Sequence, residues 1–115
     1  MAEVARSLDG VRFTVAEMGE QGEASAATVF EYREKDGVVW ARYEGGAVEL
    51  GFLVGRRDGD RLDFRYSQLN TSGETSNGHC ESTISVLPDG RLRTVDDWAW
   101  ESKEGAGRSA HEEMR

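Results

Sequence analysis

The stretch Asp58-Gly59-Asp60-Arg61-Leu62-Asp63-Phe64-Arg65-Tyr66-Ser67-Gln68-Leu69-Asn70 decides the fold class. Leu62, Phe64 and Tyr66 fall on one face, while Arg61, Asp63 and Arg65 fall on the other. That period of two is the signature of a half-buried strand, not of a helix. An Asp-Gly turn precedes the run, and Asn70-Thr71-Ser72-Gly73 follows it. Glycine supplies positive φ and Asp or Asn tolerates it, which is what a tight hairpin turn requires.

The same punctuation recurs outward in both directions. Turn clusters stand at residues 19–22, 35–37, 44–46, 58–60, 70–73, 88–90 and 103–105, so about eight strands are expected. Val11, Phe13 and Val15 alternate in the first strand, and Phe30 and Tyr32 in the second. In the fourth, Val48, Leu50, Phe52 and Val54 are expected to share the inward face. Strands three (38–43) and seven (91–100) are apolar or aromatic on both faces, which leaves their inward side open. The sole proline, Pro88, falls in a turn, where its missing N–H costs nothing. Short connections make successive strands antiparallel neighbours, and closing the sheet removes its bare edges. The fold class read from this pattern is all-β: a single antiparallel up-and-down meander of about eight strands closed into a small barrel, which looks like the calycin-like barrels. Residues 1–10 read as a lead-in, a helical turn or a frayed end, and 11–115 as the barrel domain.

Composition narrows the partners. The chain has 115 residues, room for one domain, with 37% hydrophobic and 31% charged residues. Fourteen basic residues against twenty-two acidic ones leave a net charge of −8, which disfavours nucleic acid and anionic membrane surfaces. No apolar run approaches the ~20 residues of a membrane helix. The opening Met1-Ala2-Glu3-Val4-Ala5-Arg6 lacks the apolar centre of a secretory signal, and the single Cys80 rules out an internal disulfide. A cytoplasmic location is the expectation.

Polar residues on inward faces are the informative ones in a barrel. Strand five continues past Leu62 and Phe64 with Tyr66, Gln68 and Asn70 on the same face, so one half reads dry and the other hydrogen-bonding. The Ile84 register sends Cys80 and Ser82 inward. Strand seven adds Thr94, Asp96, Trp98 and Trp100 if Leu92 faces in, and strand three adds Arg42 if Val38 and Trp40 do. The expected ligand-contacting set is Tyr32, Trp40, Arg42, Tyr66, Gln68, Asn70, Cys80, Trp98 and Trp100. Aromatics with a few convergent polar groups are the usual lining of a small-molecule pocket. Arg42 would anchor an acidic or carbonyl group there, or else form an internal ion pair with Asp96. A cavity above ~300 Å³ would favour a ligand, and a solid interior would exclude one.

Dedicated chemical machinery is sparse. His79 and Cys80 are neighbours on a strand and point to opposite faces, so they make no dyad. Two histidines and one cysteine show no metal-ligand spacing, and neither a metal nor a cofactor is expected. Gly45, Gly46 and Gly51 lie in a hairpin and a strand, not between a strand and a helix, so no phosphate cradle is present. Tyr66 is the candidate proton-transfer residue. Glu112 or Glu113 would offer a carboxylate, since adjacent strand residues split between faces.

In combination, the motifs resemble a known group. They are Val39-Trp40-Ala41-Arg42-Tyr43-Glu44-Gly45-Gly46 with Gly51, Arg65-Tyr66 with Leu69-Asn70-Thr71-Ser72-Gly73-Glu74, and Gly78-His79-Cys80-Glu81-Ser82. Leu87-Pro88-Asp89-Gly90-Arg91-Leu92-Arg93, Trp98-Ala99-Trp100 and the closing Gly107, Ser109, Glu112 and Glu113 complete them. Over roughly residues 11–113 the chain resembles small bacterial proteins labelled N-acetylglutamate synthase-like. The resemblance implies a shared small β-barrel and directs interest to Tyr66, Asn70, Cys80, Trp98 and Trp100. It implies no acetyl transfer, because the coenzyme A pyrophosphate needs a strand-to-helix loop that this sequence lacks.

Three readings follow. The first is a small-molecule-binding barrel with a partly apolar, aromatic-lined pocket. The second is a cofactor-independent isomerase or cyclase acting on a small, largely apolar metabolite in the same cavity, by analogy with calycin-like barrels. The third is a filled barrel acting through its outer surface as an interaction subunit, a homodimer included.

Overall fold

Eight strands follow one another around a ring: β1 (Arg12–Met18), β2 (Val29–Lys35), β3 (Val38–Gly45), β4 (Val48–Asp58), β5 (Arg61–Asn70), β6 (Thr75–Val86), β7 (Leu92–Trp100) and β8 (Ala106–Glu113). In this computed structural model, which describes residues 4–115, each strand pairs antiparallel with the next. β8 returns to β1 through Phe13 opposite Glu113 and Val15 opposite His111, closing the barrel. The expected meander is the one observed.

The interior divides along the barrel axis. Leu8, Phe13, Val39, Leu62 and Leu92 fill one end and are fully buried. The turns joining β1 to β2, β3 to β4, β5 to β6 and β7 to β8 sit at the other end. There the inward faces carry Tyr43, Tyr66, Gln68, Trp98 and Trp100. The dry half and the polar half of β5 are therefore real features of the fold: Leu62 and Phe64 lie in the core, and Gln68 and Asn70 are buried beyond them.

The lead-in is packed instead of frayed, and residues 4–10 form no helical turn; residues 1–3 lie outside the described part. Leu8 is completely buried, and Gly10 N donates to Tyr32 O. Arg57 holds the segment down by donating to the carbonyls of Ala5 at 2.6 Å and Arg6 at 2.9 Å.

The register of β4 differs from expectation, and a bulge explains it; that of β3, which the sequence left open, turns on a glycine. In β4 the pairing with β5 shifts between Val48 and Leu50. One extra residue in a strand inverts the side-chain phase beyond it. Val48 remains inside, but Gly51 and Leu53 take the inward positions that follow. Phe52 and Val54 turn to solvent, 53% and 59% exposed. In β3 the inward residues are Val39, Ala41 and Tyr43. Tyr43 fits because Gly51 lies beneath it: a Cβ there would sit 2.3 Å from the phenol ring. With Tyr43 inside, Trp40 and Arg42 must point outward.

Candidate ligand-binding site

The polar half of the barrel holds a cavity of about 50 Å³. Two aromatic walls flank it. On one side Phe30 stacks on Tyr43 at 4.4 Å between ring centroids and meets His111 at 4.7 Å. On the other, Trp98 and Trp100 meet edge-on at 5.7 Å, and Tyr66 packs against Trp100 at 5.6 Å. Leu53, Phe64 and Cys80 complete the apolar lining, and Asp96 and Ser109 bring polar atoms to it. The segment between β1 and β2 covers the chamber with Met18, Gly22, Glu23 and Ala24. A volume of 50 Å³ is neither a solid interior nor the ~300 Å³ of an open small-molecule pocket.

Four side-chain atoms on β7 and β8 set the electrostatics, and those of Asp96, Trp98 and His111 belong to residues that line the chamber. Thr94 Oγ1, Asp96 Oδ1, Trp98 Nε1 and His111 Nδ1 are buried and have no hydrogen-bond partner among the described residues. Thr94 and His111 lie directly opposite each other in the ladder, and Asp96 stands opposite Ser109. Buried polar groups are nearly always paired, and each orphan costs about 1–3 kcal/mol. Leaving four within two adjacent strands is unusual for a barrel that is merely filled.

His111 does not form a nucleophilic triad. Ser109 Oγ lies 3.3 Å from its Nε2, and Asp96 Oδ2 lies 3.7 Å from that same nitrogen. A relay needs the base and its orienting carboxylate on opposite ring nitrogens. Burial is the main reason that the Tyr66 and Tyr43 hydroxyls and the Cys80 thiol are held far above their ordinary pKa values. The negative charge that Asp96 carries when ionised pushes Tyr66 and Cys80 the same way. Tyr66 therefore keeps its proton at neutral pH and is not a general base. Cys80 is not a thiolate nucleophile.

Of the residues expected to meet a ligand, Tyr66, Gln68, Cys80, Trp98 and Trp100 line the cavity. Tyr32 is buried deeper, edge-on to Phe13 at 5.3 Å, and belongs to the core. Asn70 sits at the rim, donating to Glu23 Oε2 at 2.8 Å. Trp40 and Arg42 point away from the chamber and not into it: Trp40 is 41% exposed, and Arg42 donates to Glu44 at 2.9 Å on the outer surface. An internal Arg42–Asp96 pair is thereby excluded, because an outward Arg42 keeps its hydration and an inward one would lose it. Glu112 pairs with Arg93, and Glu113 accepts from Leu92 N at 3.0 Å, so neither reaches the chamber. His79 and Cys80 point apart as expected, with His79 Nε2 at 2.6 Å from Asp63 outside the barrel. Glu81 joins these two, all three offering ligand atoms within 4.8 Å of one another. Asp63 and Glu81 are exposed, and surface carboxylates gather this way without a metal.

Tyr43, Ser109, His111 and Glu23 are site residues that the sequence reading passed over. Their signal was present in part: Ser109 and His111 alternate on β8, and Tyr43 follows from the register of β3 that places Ala41 inside.

A family model for avidin-like proteins matches residues 6–114. The chain belongs to the avidin-like family. A small calycin-like barrel, the fold that this family implies, agrees with the closed eight-strand ring. The matching family does not carry the N-acetylglutamate synthase-like label, so the barrel half of that resemblance stands and the label does not. No curated protein and no solved structure matches the chain significantly.

Proposed function

We propose that this avidin-like barrel binds a small molecule. Its polar head would carry both a hydrogen-bond donor and an acceptor, and its apolar body would lie between the two aromatic walls. The observation that carries this reading is the set of unpartnered buried atoms at the chamber. Asp96 Oδ1 accepts, Trp98 Nε1 donates, and His111 Nδ1 does whichever its tautomer allows. A ligand supplying the complementary groups would satisfy them without rearranging the core. Bond making has less support, because Tyr66 stays protonated and His111 lacks a relay. The test is a thermal-shift panel of small cyclic amides, ureas and hydroxy-aromatics. Biotin comes first, since the family includes small-ligand and biotin binders. A ligand present at a hundredfold above its Kd adds about 2.7 kcal/mol and raises Tm by several degrees. A flat response across the panel would count against binding.

The outer surface supports a second role, contact with another copy of this chain. Trp40, Phe52 and Val54 form one exposed apolar patch, since Trp40 pairs with Val54 and Arg42 with Phe52 across β3 and β4. Arg33, Arg42 and Arg65 surround it, each already paired with an acid: Asp9, Glu44 and Glu101. An apolar centre with a charge-neutral rim can meet its own image without like-charge repulsion, despite the net charge of −8. Phe52→Glu is expected to shift the sedimentation-equilibrium mass from dimer to monomer at micromolar protein. A monomeric wild type would remove this role.

A further inference from the structure

We propose that residues 19–24 are a strap that gates the chamber, latched shut by the Glu23 carboxylate; this rests on reading the chamber as a ligand site. The strap lies directly on the aromatic lining. At Gly22 a Cβ would come within 2.2 Å of the Met18 sulfur and 3.2 Å of the Trp98 ring, so a side chain there would have to push Met18 aside.

What holds the strap is side chains. Glu23 Oε1 accepts from Gln68 Nε2 at 2.8 Å, and Oε2 accepts from Asn70 Nδ2 at 2.8 Å. Lys103 Nζ stands 3.8 Å from Oε2 and also lies 4.6 Å above the Trp100 ring. Gln21 makes the second tie: its carbonyl accepts from Trp100 Nε1 at 3.1 Å, and its Oε1 accepts from Ala106 N at 2.9 Å. Among the described residues, the backbone of 20–24 makes one backbone hydrogen bond, Gly22 N to Gly19 O, which lies within the strap itself.

The next four residues are fastened differently. Thr28 is fully buried and donates from Oγ1 to Gly45 O at 2.9 Å, and Ala26 O accepts from Thr14 Oγ1 at 2.7 Å. The chain therefore has a fixed segment, 25–28, next to one that the Gln21 tie alone would hold once the Glu23 latch is released. Gln68 and Asn70, which the sequence offers as ligand groups, act here on the strap. With the strap in place the chamber measures about 50 Å³, too little for anything of metabolite size.

Cys80 is a built-in reporter, because it lines the chamber and is 2% exposed. Its labelling by methyl methanethiolsulfonate, followed by mass spectrometry in increasing sub-denaturing urea, separates local opening from global unfolding. Wild type should label slowly, at a rate flat in low urea. Glu23→Ala should label about tenfold faster or more, since two charge-assisted hydrogen bonds are lost. Glu23→Gln should fall between them. Lys103→Ala removes only a half-exposed partner and serves if Glu23→Ala fails to fold; a rise of a few-fold is expected. Unchanged labelling in the folded variants, or labelling that tracks urea as steeply as global unfolding does, would overturn the strap. Faster labelling alongside a silent ligand panel would uphold the strap and count against binding, whereas the opposite pair of results would do the reverse.

Discussion

Arg57→Ala is expected to lower the unfolding free energy by about 3–5 kcal/mol, the loss usual when one partner of a buried ion pair is removed. The Arg57 side chain is 7% exposed at the barrel end opposite the chamber. It donates to Glu34 Oε1 at 2.9 Å, to Gly59 O at 2.8 Å and to the carbonyls of Ala5 and Arg6. It thereby ties the lead-in, β2 and the β4–β5 turn across the base of the barrel. Alanine would leave the Glu34 carboxylate, itself 16% exposed, without its counter-charge. It would also free the segment that carries the fully buried Leu8. Arg57→Met keeps the apolar stem and should recover part of the loss. Urea titration checks this: the midpoint should fall with the slope unchanged. A loss under about 1 kcal/mol would mean that the pair behaves as an exposed one.

Asp96→Asn is expected to do two opposite things. It should stabilise the ligand-free fold by about 1–3 kcal/mol, because a neutral amide of the same shape costs less to bury than an ionised carboxylate with an unpartnered oxygen. It should also weaken ligand retention about a hundredfold, since an acceptor-only group becomes an amide with two donors. That combination, a firmer fold with a poorer site, marks a residue kept for function at the expense of stability. Asp96 is 3% exposed, and His111 is its nearest ionisable neighbour on β8. A variant that loses both stability and binding would make the carboxylate a structural member of the core.

Glu23 adds a pH dependence with a definite sign. Burial alone would raise its pKa, but the hydrogen bonds from Asn70 and Gln68 and the Lys103 charge together bring it below the ordinary value. Its stabilising contribution is therefore present above the ordinary carboxylate value and is lost as pH falls through the lowered one. Opening at neutral pH then depends on the strength of the latch bonds and not on protonation.

The architecture was legible because its causes are local. Turn glycines and a period of two are enough to fix eight strands in sequential order, and the polar half of β5 followed from counting alternate residues past Phe64. The inward face of β4 was not legible. The bulge after Val48 inverts a register that period-two counting carried straight through, and a bulge depends on pairing with another strand. The same limit hid Tyr43, whose place inside depends on Gly51 across the sheet. Arg42 was an anchor only in the register that turns Val38 and Trp40 inward, whereas β3 turns Val39, Ala41 and Tyr43 inward and Arg42 pairs with Glu44 outside. Gln68 and Asn70 were found, but their partner Glu23 is over forty residues away in sequence. No spacing rule connects them.

Small-molecule binding in the chamber is tested most directly by native mass spectrometry of protein purified without denaturation. The expected spectrum shows one small molecule retained per wild-type chain, released on unfolding and absent from Asp96→Asn. A bare wild-type chain, together with no stabilisation by any compound in the panel, would contradict it.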